Sequence, residues 1–270
     1  MRNCCAIIIS DMRNFISCLG VAALVVFTAC QTVPYTGRRH MILVSQDQEK
    51  GLGAQTYQET LKKSKLSADE EKVEMIRRVG GRLGQAADKP DFDWEFNLIE
   101  DDKMVNAWCL PGGKVAFYTG ILPMTRDEDG VAVVMGHEIA HALARHGAER
   151  MSQAMPAQFL GQALSILLAN NPALVRNVFN QAYGLAAGGV LSAYSRKQES
   201  ESDRIGLIIM AKAGYDPRHA LDFWGRMAKI GKSPGSALEK FLSTHPNDEI
   251  RQKQIKDWLP EALKYYQSAK

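Results

Sequence analysis

Cysteine is scarce in this sequence and badly distributed for crosslinking. There are five, Cys4, Cys5, Cys18, Cys30 and Cys109, and four fall in the first thirty residues. No disulfide framework follows from that distribution. An excess of one charge is also missing: 33 Lys and Arg stand against 30 Asp and Glu, a formal net charge of +3. With no basic stripe and no interleaved aromatic-basic patch, nucleic acid is excluded as a partner. No tandem helical repeat of about 34 residues occurs, so no tetratricopeptide-like domain is expected. What is present is a chain of 270 residues with ordinary apolar content, long enough for a large core.

Phe15 to Ala29 is apolar and charge-free and follows Arg13. It falls short of the about 20 residues that a transmembrane helix needs and suits the core of a signal peptide. It ends Val26-Phe27-Thr28-Ala29-Cys30, which resembles a bacterial lipobox with Phe27 where Leu is usual. Cys30 would then be lipidated and become the mature N-terminus. Gln31, rather than Asp, follows it, which resembles a signal for the outer membrane. Met-Arg-Asn stands at Met1 and again at Met12, and a start at Met12 gives the more regular signal peptide. The expected division is residues 1–29 signal peptide of lipoprotein type, 30–44 tether and 45–270 one folded domain.

The chemistry is concentrated in Gly136-His137-Glu138-Ile139-Ala140-His141. Residues four apart share a helix face, so His137 and His141 can point at one zinc ion with Glu138 beside them. The context is helical. Thr125 to Glu128 has a capping-box pattern, and Val131, Val134, Met135, Ile139, Ala142 and Leu143 form an apolar stripe. Gly147 is the expected C-cap. Buried His and Glu without partners are costly, and a bound ion offsets that cost.

Around this helix the pattern is mixed. Ser45 to Gln48 caps a helix to about Leu61, and Ser67 to Glu70 caps another that runs through Leu83. Phe92, Trp94, Phe96 and Leu98 alternate as in a half-buried strand, and Pro111-Gly112-Gly113 joins Ala107–Leu110 to Lys114–Thr119 as a hairpin. An edge strand there could bind an extended peptide, or simply pack on the helix. Residues 152–191 read as helix, loop, helix, a lid or a membrane-touching surface. After Gly214 come a helix from Asp216-Pro217 and short helices over Leu238–Leu242 and Asn247–Trp258.

A catalytic zinc takes three protein ligands and keeps one open position. The missing ligand is sought in the helix opened by Ser195, where Glu199 and Asp203 are four apart. One carboxylate could bind the ion and the other could accept the second N–H of a ligating His. By itself such a pair also suits a solvated face. Glu201 falls on another face, nearer solvent. His146 is assigned a structural role, and Cys109 reads as a packed free thiol.

These motifs, in this order, resemble the HtpX and CAAX-prenyl-protease type of zinc peptidase. More specifically they resemble its soluble bacterial periplasmic lipoprotein branch, similar to the mitochondrial inner-membrane quality-control protease. The matching segments are Asn106-Ala107 with Pro111-Gly112-Gly113, Ser195-Arg196 with Glu199 and Asp203, and Thr244-His245-Pro246 with Arg251. Ser202 stands where a small residue such as Ala is usual. The resemblance implies zinc ligands His137, His141 and Glu199, one ion per chain, and Glu138 as general base. It implies Asp203 behind a ligand, Arg251 near it, and Asn106, Ala107, Pro111 and Gly112 in substrate binding. His245 would stabilise the oxyanion, as Arg251 could, or latch the open zinc position. The expected fold is α+β and mainly helical, a zincin-like (gluzincin) core with a small antiparallel sheet beside the active-site helix. The expected function is a zinc-dependent metalloendopeptidase acting on misfolded or stalled envelope proteins. Its place is the periplasm, lipid-anchored at Cys30. The alternative is a zinc-regulated chaperone or outer-membrane assembly factor.

Overall fold

The computed structural model describes residues 30–154, 172–185, 194–230 and 249–269, together with Leu238, Phe241, Leu242 and His245. The expected signal peptide and most of the 152–191 lobe, with its Gly188-Gly189 break, lie outside the described residues. Among the described residues no helix is long and apolar enough to cross a membrane.

The elements run β1 (Cys30–Thr32), β2 (Arg39–Met41), α1 (Gln46–Lys63), α2 (Glu70–Ala86), β3 (Glu95–Ile99), β4 (Ala107–Leu110), β5 (Lys114–Tyr118), α3 (Leu122–Thr125) and α4 (Glu128–Leu143). Then come α5 (His146–Ala154), α6 (Pro172–Ala182), α7 (Arg196–Lys212), α8 (His219–Ile230) and α9 (Glu249–Ser268). The fold is mainly helical with a small sheet beside α4. In that sheet the order is β3–β5–β4, with β4 antiparallel to β5 and β3 joining the other edge in parallel. β4 is thus an edge strand, and it lies against α4.

α4 is apolar nearly all round, and every residue from Gly130 to Leu143 is buried. A helix of that kind belongs in the middle of a core. Its N-cap is Asp127, whose side chain accepts from Gly130 N at 2.8 Å, rather than Thr125, which ends α3. The cap moves because Thr125 Oγ1 donates to Leu122 O. α7 crosses α4 where Gly206 meets Gly136. A Cβ on Gly206 would lie 3.0 Å from the carbonyl carbon of Gly136 and from His137 N. The two backbones touch there, which brings Glu199 and Asp203, on the Gly206 face of α7, up to the α4 histidines.

α4 does not run to Gly147. It stops at Ala144, Arg145 takes a left-handed φ of 52°, and His146 opens α5. A non-glycine residue in that conformation needs compensation. Arg145 donates to Glu49 Oε2 at 2.7 Å, Gln31 Oε1 at 2.6 Å and Val44 O at 2.9 Å. Gly147 is required for a different reason: a Cβ there would overlap the ring of Tyr183.

The stretch read as a tether is a docked hairpin. β1 and β2 pair antiparallel, with Cys30 opposite Met41. Arg38 makes a two-pronged ion pair with Glu149, at 2.7 and 2.8 Å, and its Nε lies 2.7 Å from Glu201 Oε2. The final helix is longer than expected and continues through Pro260. Ile255 and Ala262 are buried on either side of that proline, and Arg204 holds Glu261 at 3.0 Å.

Two outcomes follow. Gly206→Val should force α4 and α7 apart, costing about 1–3 kcal/mol by urea denaturation and loosening metal retention in a chelator competition. The second concerns acid. Burial opposes ionisation of Glu149, but hydrogen bonds from His40, Arg38 and Gln198 hold its carboxyl well below the usual range. A depressed carboxylate stabilises fully above its unfolded value of 4.5 and loses that contribution as pH falls below it. The hairpin should stay docked near neutral pH and release progressively below about pH 4.5, read as faster amide exchange in residues 30–44.

Candidate metal centre

His137 and His141 stand one turn apart on α4 with their Nε2 atoms 3.0 Å from each other. Glu199 reaches in from α7, with Oε1 3.3 Å from His141 Nε2 and Oε2 3.5 Å from His137 Nε2. His245 Nδ1 lies 3.2 Å from His137 Nε2 and 3.3 Å from Glu199 Oε1. The four residues are buried and their ligand atoms lie within 4.8 Å of one another. Donor atoms around a tetrahedral ion at about 2.0–2.1 Å are separated by roughly 3.3 Å. The observed edges match that figure.

Protonation supports a cation at the centre. His137 Nδ1 faces Asp203 Oδ1 at 2.9 Å and donates to it, which turns its Nε2 lone pair inward. Facing lone pairs repel unless a proton or cation lies between them. Without an ion the site captures a proton: burial pulls His137 down, but Glu199 and Asp203 more than offset it and push it up to about 9. Burial holds His141 well below its usual value. Burial also works against Glu199, but His245 and His137 keep it well below the carboxylate range. Glu199 Oε1 is buried with no hydrogen-bond partner among the described residues. The donor set and spacing therefore fit a divalent ion.

Arg251 comes from α9. It lies 2.7 Å from Asp203 Oδ1 and 3.2 Å from Glu199 Oε2, with its guanidinium carbon 3.3 Å from the Trp224 ring centre. The guanidinium clamps the two carboxylates, so it is committed there and is not an oxyanion donor in this geometry. Tyr194 stacks on His141, ring centres 3.9 Å apart, and Arg150 lies over the tyrosine at 4.7 Å.

Glu138 opens onto a cleft lined by Asn106, Ala107, Cys109, Tyr194 and His245. Its Oε1 has no hydrogen-bond partner among the described residues, and burial raises its pKa. Asn106 and Ala107 stand at the cleft. Pro111 and Gly112 do not: Gly112 and Gly113 (both φ 84°) turn the hairpin onto α1, where Pro111 abuts Gly53 and Gly112 lies by Lys50. Cys109 is a buried free thiol, and Cys30 is exposed on β1.

Several participants are invisible to spacing rules. Glu201, expected near solvent, is only 7% exposed and accepts from His146 Nε2 at 3.0 Å. His146 in turn faces His141, Nδ1 to Nδ1, at 2.9 Å. On an unbroken helix a residue five past His141 would point elsewhere, and the left-handed Arg145 turns it back. No local signal in the sequence announces that turn, nor Arg38 arriving from over a hundred residues away.

Two histidines and a glutamate on crossed helices, with a second glutamate at the cleft 3.6 Å from His245 Nε2, define a metallopeptidase. Residues 70–259 match the model of peptidase family M48, and the chain belongs to that family. Mitochondrial metalloendopeptidase OMA1 of Schizosaccharomyces pombe is 36% identical over 239 residues, covering 87% of this chain and 68% of that one. The Saccharomyces cerevisiae OMA1 is 32% identical over 274 residues, 95% and 77% respectively. A putative beta-barrel assembly-enhancing protease of Vibrio cholerae is 34% identical over 182 residues, 66% of this chain and 37% of its own. The protein is a metalloendopeptidase, and the family is the one its motifs resemble.

Metal removal should be visible in stability. A divalent ion at 100 times its dissociation constant should stabilise by about 2.7 kcal/mol, raising the melting temperature by roughly 5–10 °C. An unchanged melting curve after chelation would count against a bound ion.

Proposed function

We propose that the protein is a zinc-dependent endopeptidase of unfolded or misassembled envelope polypeptides, held at the outer membrane, on its periplasmic side, by a lipid on Cys30. The observation that carries the catalytic part is the Glu138 carboxylate, buried beside the His137–His141–Glu199 triangle with Oε1 lacking a hydrogen-bond partner among the described residues. A zinc ion held by that triangle would supply Lewis acidity and lower the pKa of a bound water. Glu138 accepts a proton from the attacking water and hands it to the leaving amine. Its raised pKa suits that return step. Substrate lies as an added strand along the edge of β4, which has no second strand partner among the described residues, passing Asn106 and Ala107. A strand-binding cleft reads backbone more than side chains, which suits unfolded chains of varied sequence.

His245 decides whether the site is open. Its Nδ1 lies 3.2 Å from His137 Nε2 and 3.3 Å from Glu199 Oε1, so it would complete a four-donor set and occupy the position a reacting group needs. In this conformation His245 acts as a latch, and cleavage requires it to swing away. The envelope assignment is supported by the signal-peptide and lipobox pattern, and by the similarity to a protein named for beta-barrel assembly.

Casein or an unfolded outer-membrane protein, incubated with the protein, tests the reading. Glu138→Gln should keep about one zinc per chain and lose about 10²–10⁴-fold in cleavage. His245→Ala should keep zinc and cleave faster than wild type. If Glu138→Gln cleaves like wild type, the general-base role is wrong. If no variant cleaves while all bind zinc, the chaperone reading gains.

A further inference from the structure

The two α4 histidines are braced from behind in parallel ways. His137 donates through Nδ1 to Asp203, and Asp203 is held by Arg251 from the C-terminal helix. For His141 the partner at the same position is another imidazole. His146 Nε2 lies 3.0 Å from Glu201 Oε2, and a carboxylate only accepts, so the proton sits on Nε2. His146 Nδ1 therefore carries a lone pair. At 2.9 Å from it, His141 Nδ1 must be the donor, which turns the His141 Nε2 lone pair toward the centre. Ser202 Oγ, 3.3 Å from the same His146 nitrogen, can share that lone pair.

Glu201 is the hub of the second brace. Besides His146 it accepts from the Thr36 hydroxyl and from Arg38 Nε at 2.7 Å. Both come from the N-terminal hairpin. Arg38 is itself locked by Glu149, and the hairpin is held again where Arg145 grips Gln31 and Val44. His146 is 0% exposed, so no solvent replaces these partners.

We propose that His146, Glu201 and Arg38 form a relay that positions His141, making the N-terminal hairpin a working part of the metal centre. His146 is a positioning residue and touches neither ion nor substrate. The inference rests on His141 being a ligand. Anything that pulls the hairpin off α5 and α7 leaves Glu201 short of two donors and loosens the His141 ring, so undocking of residues 30–44 would lower metal affinity without touching a ligand.

The test uses the full chain loaded with cobalt(II), followed by its visible absorption and by competition with a chelator. His146→Leu removes the acceptor and should weaken retention about 10–100-fold, the usual cost of losing such a partner, with an altered cobalt spectrum. His146→Asn places an amide oxygen where Nδ1 was and should recover most of the loss. Arg38→Met should weaken retention in the same direction and to a smaller extent. His141→Ala is the control for the ligand assignment and should abolish binding. If His141→Ala retains the metal, the site reading and the relay fail together. If it loses the metal while His146→Leu keeps the wild-type affinity and spectrum, the relay alone is wrong. Equal losses in the Leu and Asn variants would also overturn it. Should His146→Leu fail to fold, Arg38→Met decides, and an unchanged cobalt affinity and spectrum there overturns the relay.

Discussion

Backbone contact between two helices underlies the metal centre. Where Gly206 of α7 sits on Gly136 of α4, a Cβ on either glycine would lie 3.0–3.1 Å from the other helix's backbone, tighter than ordinary packing. Carboxylates have short reach, and Glu199 and Asp203 meet the imidazoles only because the axes are this close. The cost is two glycines within helices, each unfavourable by up to about 1 kcal/mol relative to alanine. Burial of α4 on all sides offsets that, since its apolar residues supply the central layer of the core.

Such a centre is electrostatically uncomfortable by itself. His137, His141, Glu138, Glu199, Asp203, His245 and Arg251 are all buried within one small volume. Burying charges without pairing is expensive, and breaking one partner of a buried set costs more than the set is worth. The protein solves this by layering. Inner lone pairs face one point, the outer N–H groups face carboxylate or imidazole acceptors, and those acceptors end on arginines from both ends of the described chain. The centre is consequently a product of the whole fold, although the His137–His141–Glu199 triangle comes from two helices.

What could be read in the sequence was what repeats with helical period or follows a local rule. The His137–His141 spacing, the Ser45 capping box, the helix opened by Ser195, the Ala107–Tyr118 hairpin and the Glu199–Asp203 pair are all of that kind, and the structure contains each element. What failed was decided by tertiary contact. Arg145 occupies a conformation usually left to glycine because three distant acceptors hold it. Gly147, which looked like a cap, is small to admit Tyr183. The Pro111-Gly112 turn belongs to the scaffold through α1. Residues 30–44 carry Pro34, Gly37 and two arginines, which locally look like a linker, and only the acids on α5 and α7 make them a hairpin. For His245 the sequence leaves two roles open, and the side chain lies 3.2 Å from His137 Nε2 and 3.6 Å from Glu138 Oε1.

That hairpin also bears on the proposed attachment at Cys30. By Gln31 the chain is already gripped by Arg145, so an anchor on Cys30 would have about one residue of slack, roughly 3.5 Å. An enzyme on a long tether sweeps a hemisphere; one anchored through Cys30 would be held close to the lipid surface. Selectivity would then owe as much to how near a chain lies to that surface as to its sequence.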